Sequence, residues 1–151
     1  MNKRQKKKNK KKFWQIEFVH YGANTFDPAL VPNGSPHYKK PSGLWASPTK
    51  GDWNWKEFCL SEEFHLDRLS KHFKFTVKKS AKILVVNHLS NLKGYISHDY
   101  ETLNREKLYR HYDGMMVWMG DNWHELHNNF LFWMWDVDSI VIWNPDVIIL
   151  K

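Results

Sequence analysis

Three short stretches carry the side chains that can do chemistry. His20 closes an alternating run, Trp14-Gln15-Ile16-Glu17-Phe18-Val19-His20, and Tyr21-Gly22 follows it at once. Gly43-Leu44-Trp45-Ala46-Ser47 is a brief apolar run held between Lys40-Pro41-Ser42 and Pro48. Both flanks are hostile to helix, so the run can be only a short strand with a glycine at its mouth. Asp136 and Asp138 open a third run, Ser139-Ile140-Val141-Ile142-Trp143. An imidazole can hold or move a proton near neutral pH, and a carboxylate can face a developing positive charge. A rigid indole beside a glycine-opened backbone suits a flat ring. Each group also has a plainer role: His20 as a hydrogen-bonded core residue, Trp45 as buried area, Asp138 as a solvated strand-end acid.

The elements that must position these groups follow from the local pattern. Period-two alternation puts Trp14, Ile16, Phe18 and His20 on one face of a strand over 14–20, and turns Trp45 away from both Leu44 and Ala46. Asp136 and Asp138, two apart, fall on the same side of their strand. Between the first two strands, residues 24–42 are rich in Pro, Gly, Asn and Ser, a connection long enough to shape a site. Asp52 can cap a helix holding Trp53, Trp55 and Phe58, with a second short helix from Ser61 ending before Phe73. Strands are expected over 73–77 and 81–86, joined by Lys78-Lys79-Ser80 as a hairpin, then a helix over 99–111 and a turn at Tyr112-Asp113-Gly114. A strand over 115–119, a helix within 121–135 with Leu126, Phe130 and Trp133 on one stripe, and strands over 138–143 and 147–150 complete the chain. Strands outnumber helices and the helices interrupt them irregularly. The expected class is α+β, with a split, mostly antiparallel sheet and short flanking helices.

Composition narrows the setting. At 151 residues the chain can bury a core without staples, and its single cysteine, Cys59, has no partner within it, which favours a reducing, cytoplasmic location. No run approaches the length of a membrane span, and the sequence reads as a soluble protein. The net charge of +7 is concentrated in the first twelve residues, where Lys3, Arg4, Lys6, Lys7, Lys8, Lys10, Lys11 and Lys12 stand without an acid. Taking these eight from the chain's 23 leaves 15 basic against 16 acidic groups, so the body carries a net −1. The expected organisation is a disordered basic arm over 1–12 and a single domain over 13–151. Residues 3–12 can contact a polyanion, or serve only as a solubilising tail.

No phosphate-cradling glycine loop, nucleophile elbow or Cys-x-x-Cys pair is present. His124 and His127 share a helical face, but two ligands do not make a metal site and no further ligands stand near them, so none is expected.

The order of these features resembles the ADP-ribosyltransferase superfamily, in particular the branch with a His, aromatic, Glu triad. Residues 16–48 and 111–149 carry the likeness: a His-ended strand, a Gly-x-aromatic-x-Ser strand, a Tyr-Asp-Gly turn before a strand, and an acidic strand followed by Asn144-Pro145-Asp146. The resemblance implies that fold, NAD as substrate, and transfer of ADP-ribose to a macromolecular acceptor, protein or nucleic acid. It implies that His20 holds an NAD ribose and that the backbone of Tyr21 or Gly22 clamps the carboxamide. It implies further that Gly43 opens the backbone, that Trp45 stacks on nicotinamide and that Ser47 closes beside it. No Glu follows Glu125, so the resemblance places the catalytic acid at Asp138, or by a two-residue slip at Asp136. Two other functions remain open on the same residues. One is an inactive module that binds NAD, a nucleotide or a partner; the other is a nucleic-acid binder using the basic arm and exposed aromatics.

Overall fold

The structure is a computed structural model that describes residues 13–31, 41–132 and 135–151. The expected disordered arm over 1–12 lies outside the described residues, as do residues 32–40 of the connection before β2 and Trp133. Seven strands form the sheet: β1 (Phe18–Tyr21), β2 (Leu44–Pro48), β3 (His72–Val77), β4 (Ile83–Val86), β5 (Gly114–Val117), β6 (Ser139–Ile142) and β7 (Ile148–Leu150). Their order is β4-β5-β6-β2-β1-β3-β7, and only the β4–β5 pair is parallel. Among the described residues three short α-helices, α1 (Trp55–Glu62), α2 (Arg105–His111) and α3 (Trp123–His127), and several 3-10 turns complete an α+β architecture. Among the described residues no helix is long and apolar enough to cross a membrane.

Alternation decides which face each strand residue takes. Leu84, Val86, Met115, Val117 and Val141 pack on one face with Leu108 of α2, Leu126 of α3, Leu131 and Phe132; Trp45 joins this side. Their sequence neighbours Met116, Ile140 and Ile142 take the other face, where Ala46 and Leu44 meet Phe18, Phe75 and Val77 from the far half of the sheet. Side chains from both halves share this second core, so the sheet curls around it. Trp45 thus points away from Leu44 and Ala46, as the alternation predicts.

The sheet divides at β2. Its C-terminal residues pair with β1, Val19 opposite Ser47 and Phe18 opposite Pro48. Its N-terminal residues pair with β6, Trp45 opposite Val141 and Ala46 opposite Ile140. Neither neighbour follows β2 along its whole length, and the two halves diverge where the ladders change hands. Gly43 is required just before the second ladder, because a Cβ there would overlap the Ile142 carbonyl.

Several local expectations need correction. The strand expected from residue 14 is broken by a 3-10 turn, Phe13–Gln15, and pairing begins only at Phe18. Asn54, not Asp52, caps α1, its side chain accepting from the Glu57 amide and donating to the Gly51 carbonyl. The expected hairpin through Lys78-Lys79-Ser80 does not form. Both edges of β3 are taken, by β1 and β7, and β4 lies at the far end of the sheet. Asp113 draws it there: its amide donates to the Lys82 carbonyl and its carboxylate accepts from the Lys82 amide. The same residue accepts from Asn144 through its side chain and from the Trp143 and Asn144 amides through its carbonyl. The Tyr112-Asp113-Gly114 turn is therefore a staple joining β4, β5 and β6. The helix expected within 121–135 is only the single turn of α3, and that expected over 99–111 begins at Arg105 under an Asn104 cap.

Candidate functional site

A cavity of about 430 Å³ opens where the two halves of the sheet part, within the range of small-molecule sites. His20 and Tyr21 line it from the end of β1, Trp45, Ala46 and Ser47 from β2, and Asp136, Val137 and Ser139 from the approach to β6. The opposite wall comes from the helical segment after β2: Trp55 of α1, then Phe64, His65 and Arg68. Trp135 closes the lining beside Trp45, the two indoles meeting edge to face at 4.8 Å between centroids.

His20 is fixed by the split itself. The β1–β2 ladder stops at Val19 and Ser47, and beyond it the Trp45 carbonyl faces the imidazole instead of a strand amide. Nδ1 lies 2.6 Å from that carbonyl oxygen. A carbonyl only accepts, so Nδ1 carries the proton and the neutral ring keeps Nε2 as an acceptor. One bond therefore couples the ring orientation of His20 to the backbone that presents Trp45. Phe73, opposite His20 on β3, supports the ring at 5.1 Å. Beside it, burial raises the Tyr21 phenol above its ordinary value, with Cys59 and Glu57 adding to the effect, so its hydroxyl stays a donor.

Ser47 lines the cavity but is buried, and its Oγ accepts from the Trp55 amide at 3.1 Å. It anchors the first turn of α1 and so sets the wall opposite Trp45. Gly22 and Gly43 are not in the lining. The Gly22 amide donates to the Lys71 carbonyl at 2.7 Å, so of the two expected carboxamide clamps only Tyr21 borders the cavity. Gly43 serves the approach of β6 and not that of a ligand.

The two acids separate. Residues 135–138 bend before β6 begins at Ser139, so strand parity does not extend back to them. Asp136, half-buried, lines the cavity; Asp138 does not. The Asp138 carboxylate accepts from the Gly120 amide at 2.9 Å, and its own amide donates to the Trp53 carbonyl at 3.0 Å. Burial pushes this carboxyl up to about 6, against the lowering effect of the Gly120 bond and with a further rise from Asp121. Asp138 is a latch between the end of β5 and the start of β6, and the acid position at the cavity passes to Asp136.

Trp55, Phe64, His65 and Arg68 line the cavity without having been expected there from sequence. The aromatic density of 53–64 was visible, but only the pairing of β1 with β3 carries the following turn to the His20 end of the sheet. His124 and His127 stand away from this cavity; His127 stacks on Trp123 at 4.0 Å. Among the described residues no three His, Cys, Asp or Glu side chains gather as a metal site would need. No protein-family model, curated protein or solved structure matches this chain.

Proposed function

We propose that the protein is an NAD-dependent ADP-ribosyltransferase, with NAD as substrate and a protein or nucleic acid as acceptor. The observation that carries this reading is that an imidazole, an indole and a carboxylate, from residues nearly 120 positions apart, line one cavity: His20, Trp45 and Asp136. The nicotinamide ring packs against Trp45, and the Nε2 of His20 accepts from a ribose hydroxyl. These contacts turn a flexible dinucleotide into an oriented reactant. The bond from ribose C1′ to the pyridinium nitrogen breaks and its electron pair leaves with the ring, so nicotinamide departs neutral and positive charge develops on the sugar. Asp136 faces that oxocarbenium-like centre and stabilises it as it forms. An acceptor nucleophile then bonds to C1′, and its proton passes to the carboxylate.

Incubation of the full chain with NAD, alone and with cell extract, tests this reading. Nicotinamide should be released, faster with extract present, and Asp136→Asn should lower the rate at least 100-fold while its circular dichroism stays that of the unaltered protein. An intact rate in Asp136→Asn would defeat the assignment. No release under either condition, with NAD still raising the melting temperature, would favour a binding module in the same cavity.

A further inference from the structure

The cavity has a chemically distinct rim on the side away from the sheet. Arg68 supplies the guanidinium of the lining, on the helical wall, while Asp136 supplies the carboxylate, on the sheet wall. Arg68 is exposed and forms no ion pair with a carboxylate of the described residues; Glu17 is met by Lys74, and Glu125 by the His88 ring at 3.1 Å. Its backbone is held firmly. The Arg68 amide donates to the His65 carbonyl at 3.0 Å, the Lys71 amide to the Arg68 carbonyl at 3.2 Å, and the Gly22 amide to the Lys71 carbonyl at 2.7 Å. This chain of bonds ties the turn bearing Arg68 to the end of β1, where His20 and Tyr21 enter the cavity. On its other side, Glu63 and His65 both adopt left-handed backbone, at φ 51° and 48°, an unfavourable geometry for side-chain-bearing residues. The effect is to bring Phe64 and His65 to the rim, where their rings lie 3.9 Å apart.

We propose that Arg68 is the anion-recognition group of this cavity, and that its ligand is a nucleotide, carrying phosphate beside its flat ring, and not a free base or nucleoside. A guanidinium offers a planar fork that matches phosphate oxygens, and it remains charged throughout the accessible pH range. The aromatic walls, Trp45 on one side and Trp55 with Phe64 on the other, take the ring, while the rim takes the charge. This deepens the NAD reading and shares its cavity, but requires no transfer chemistry.

Matched nucleoside and nucleotide pairs test it by calorimetric titration of the full chain: adenosine with adenosine 5′-monophosphate, and nicotinamide riboside with nicotinamide mononucleotide. The unaltered protein should bind each nucleotide about tenfold more tightly than its nucleoside. Arg68→Gln should abolish that difference with nucleoside affinity unchanged, and Arg68→Lys should restore part of it. Equal affinity within both pairs, or equal loss of nucleoside and nucleotide binding in Arg68→Gln, would overturn the proposal, as would binding of none of the four. A phosphate preference in the adenosine pair, with neither nicotinamide compound bound and no nicotinamide released from NAD, would uphold Arg68 and defeat the NAD reading. Equal affinity within both pairs, with nicotinamide still released from NAD, would do the reverse.

Discussion

The Nδ1–H of His20 donates a hydrogen bond to the Trp45 carbonyl, so truncating the side chain is felt in both stability and binding. His20→Ala should lower stability by about 1–2 kcal/mol, read from urea unfolding, because a half-buried carbonyl loses its partner. It should also weaken NAD binding, read by calorimetry. Asp138 behaves differently, since its carboxyl is raised to about 6 in the folded chain. Between about pH 4 and pH 6 the folded state holds a proton that the unfolded state has released, so stability falls as pH rises through this window and then levels off. The fall from this group should be about 3 kcal/mol. Asp138→Asn keeps an acceptor for the Gly120 amide without the charge. Relative to the unaltered chain it should gain about that much between pH 4 and pH 7, a comparison that cancels the other carboxylates. A constant difference across the range would contradict the latch role. The positions of His20 and Trp45 were legible because each sits in a run whose alternation and breakers are local. The choice between Asp136 and Asp138 was not, because it turns on where β6 starts to pair, and that is set by β2 and β5 and not by residues 136–138.

At the scale of the element, β2 is the hinge of the architecture, pairing with β6 at its start and β1 at its end. Gly43→Ala should cost at least about 2–3 kcal/mol in urea unfolding, since the added methyl meets the Ile142 backbone, which can yield little. Ser47→Ala removes the acceptor of the Trp55 amide and should cost about 1–2 kcal/mol. It should also loosen the α1 wall, seen as faster hydrogen exchange at Trp55. The brief strand between Pro41 and Pro48 was legible from its breakers, and so was α+β as a class. The hairpin after β3 misled because a three-residue link is compatible with a hairpin yet does not require one. What decides the matter is the Asp113 staple, whose partners lie about thirty residues away on either side. The cap of α1 fell to Asn54 instead of Asp52, a choice between two good capping residues that local propensity does not resolve.

Across the whole molecule, charge and cavity are separate properties. The body is close to neutral and the basicity belongs to residues 1–12. Deleting those residues should leave the affinity for NAD unchanged while abolishing any salt-sensitive retention on a polyanion column; a cavity affinity that fell with the arm would contradict this separation. The curled sheet was only partly legible. Its strands could be counted from sequence, whereas its order depends on pairings between distant segments, and that order is what brings β1, β2 and β6 side by side. The helical wall with Phe64 and Arg68 was hidden for the same reason. The most direct measurement is transfer of labelled ADP-ribose from NAD to cell extract by the unaltered chain, Asp136→Asn and Asp138→Asn, assayed side by side at pH 7.5. The account predicts transfer by the unaltered chain and by Asp138→Asn, and its loss in Asp136→Asn. Transfer that survives in Asp136→Asn and disappears in Asp138→Asn would contradict it.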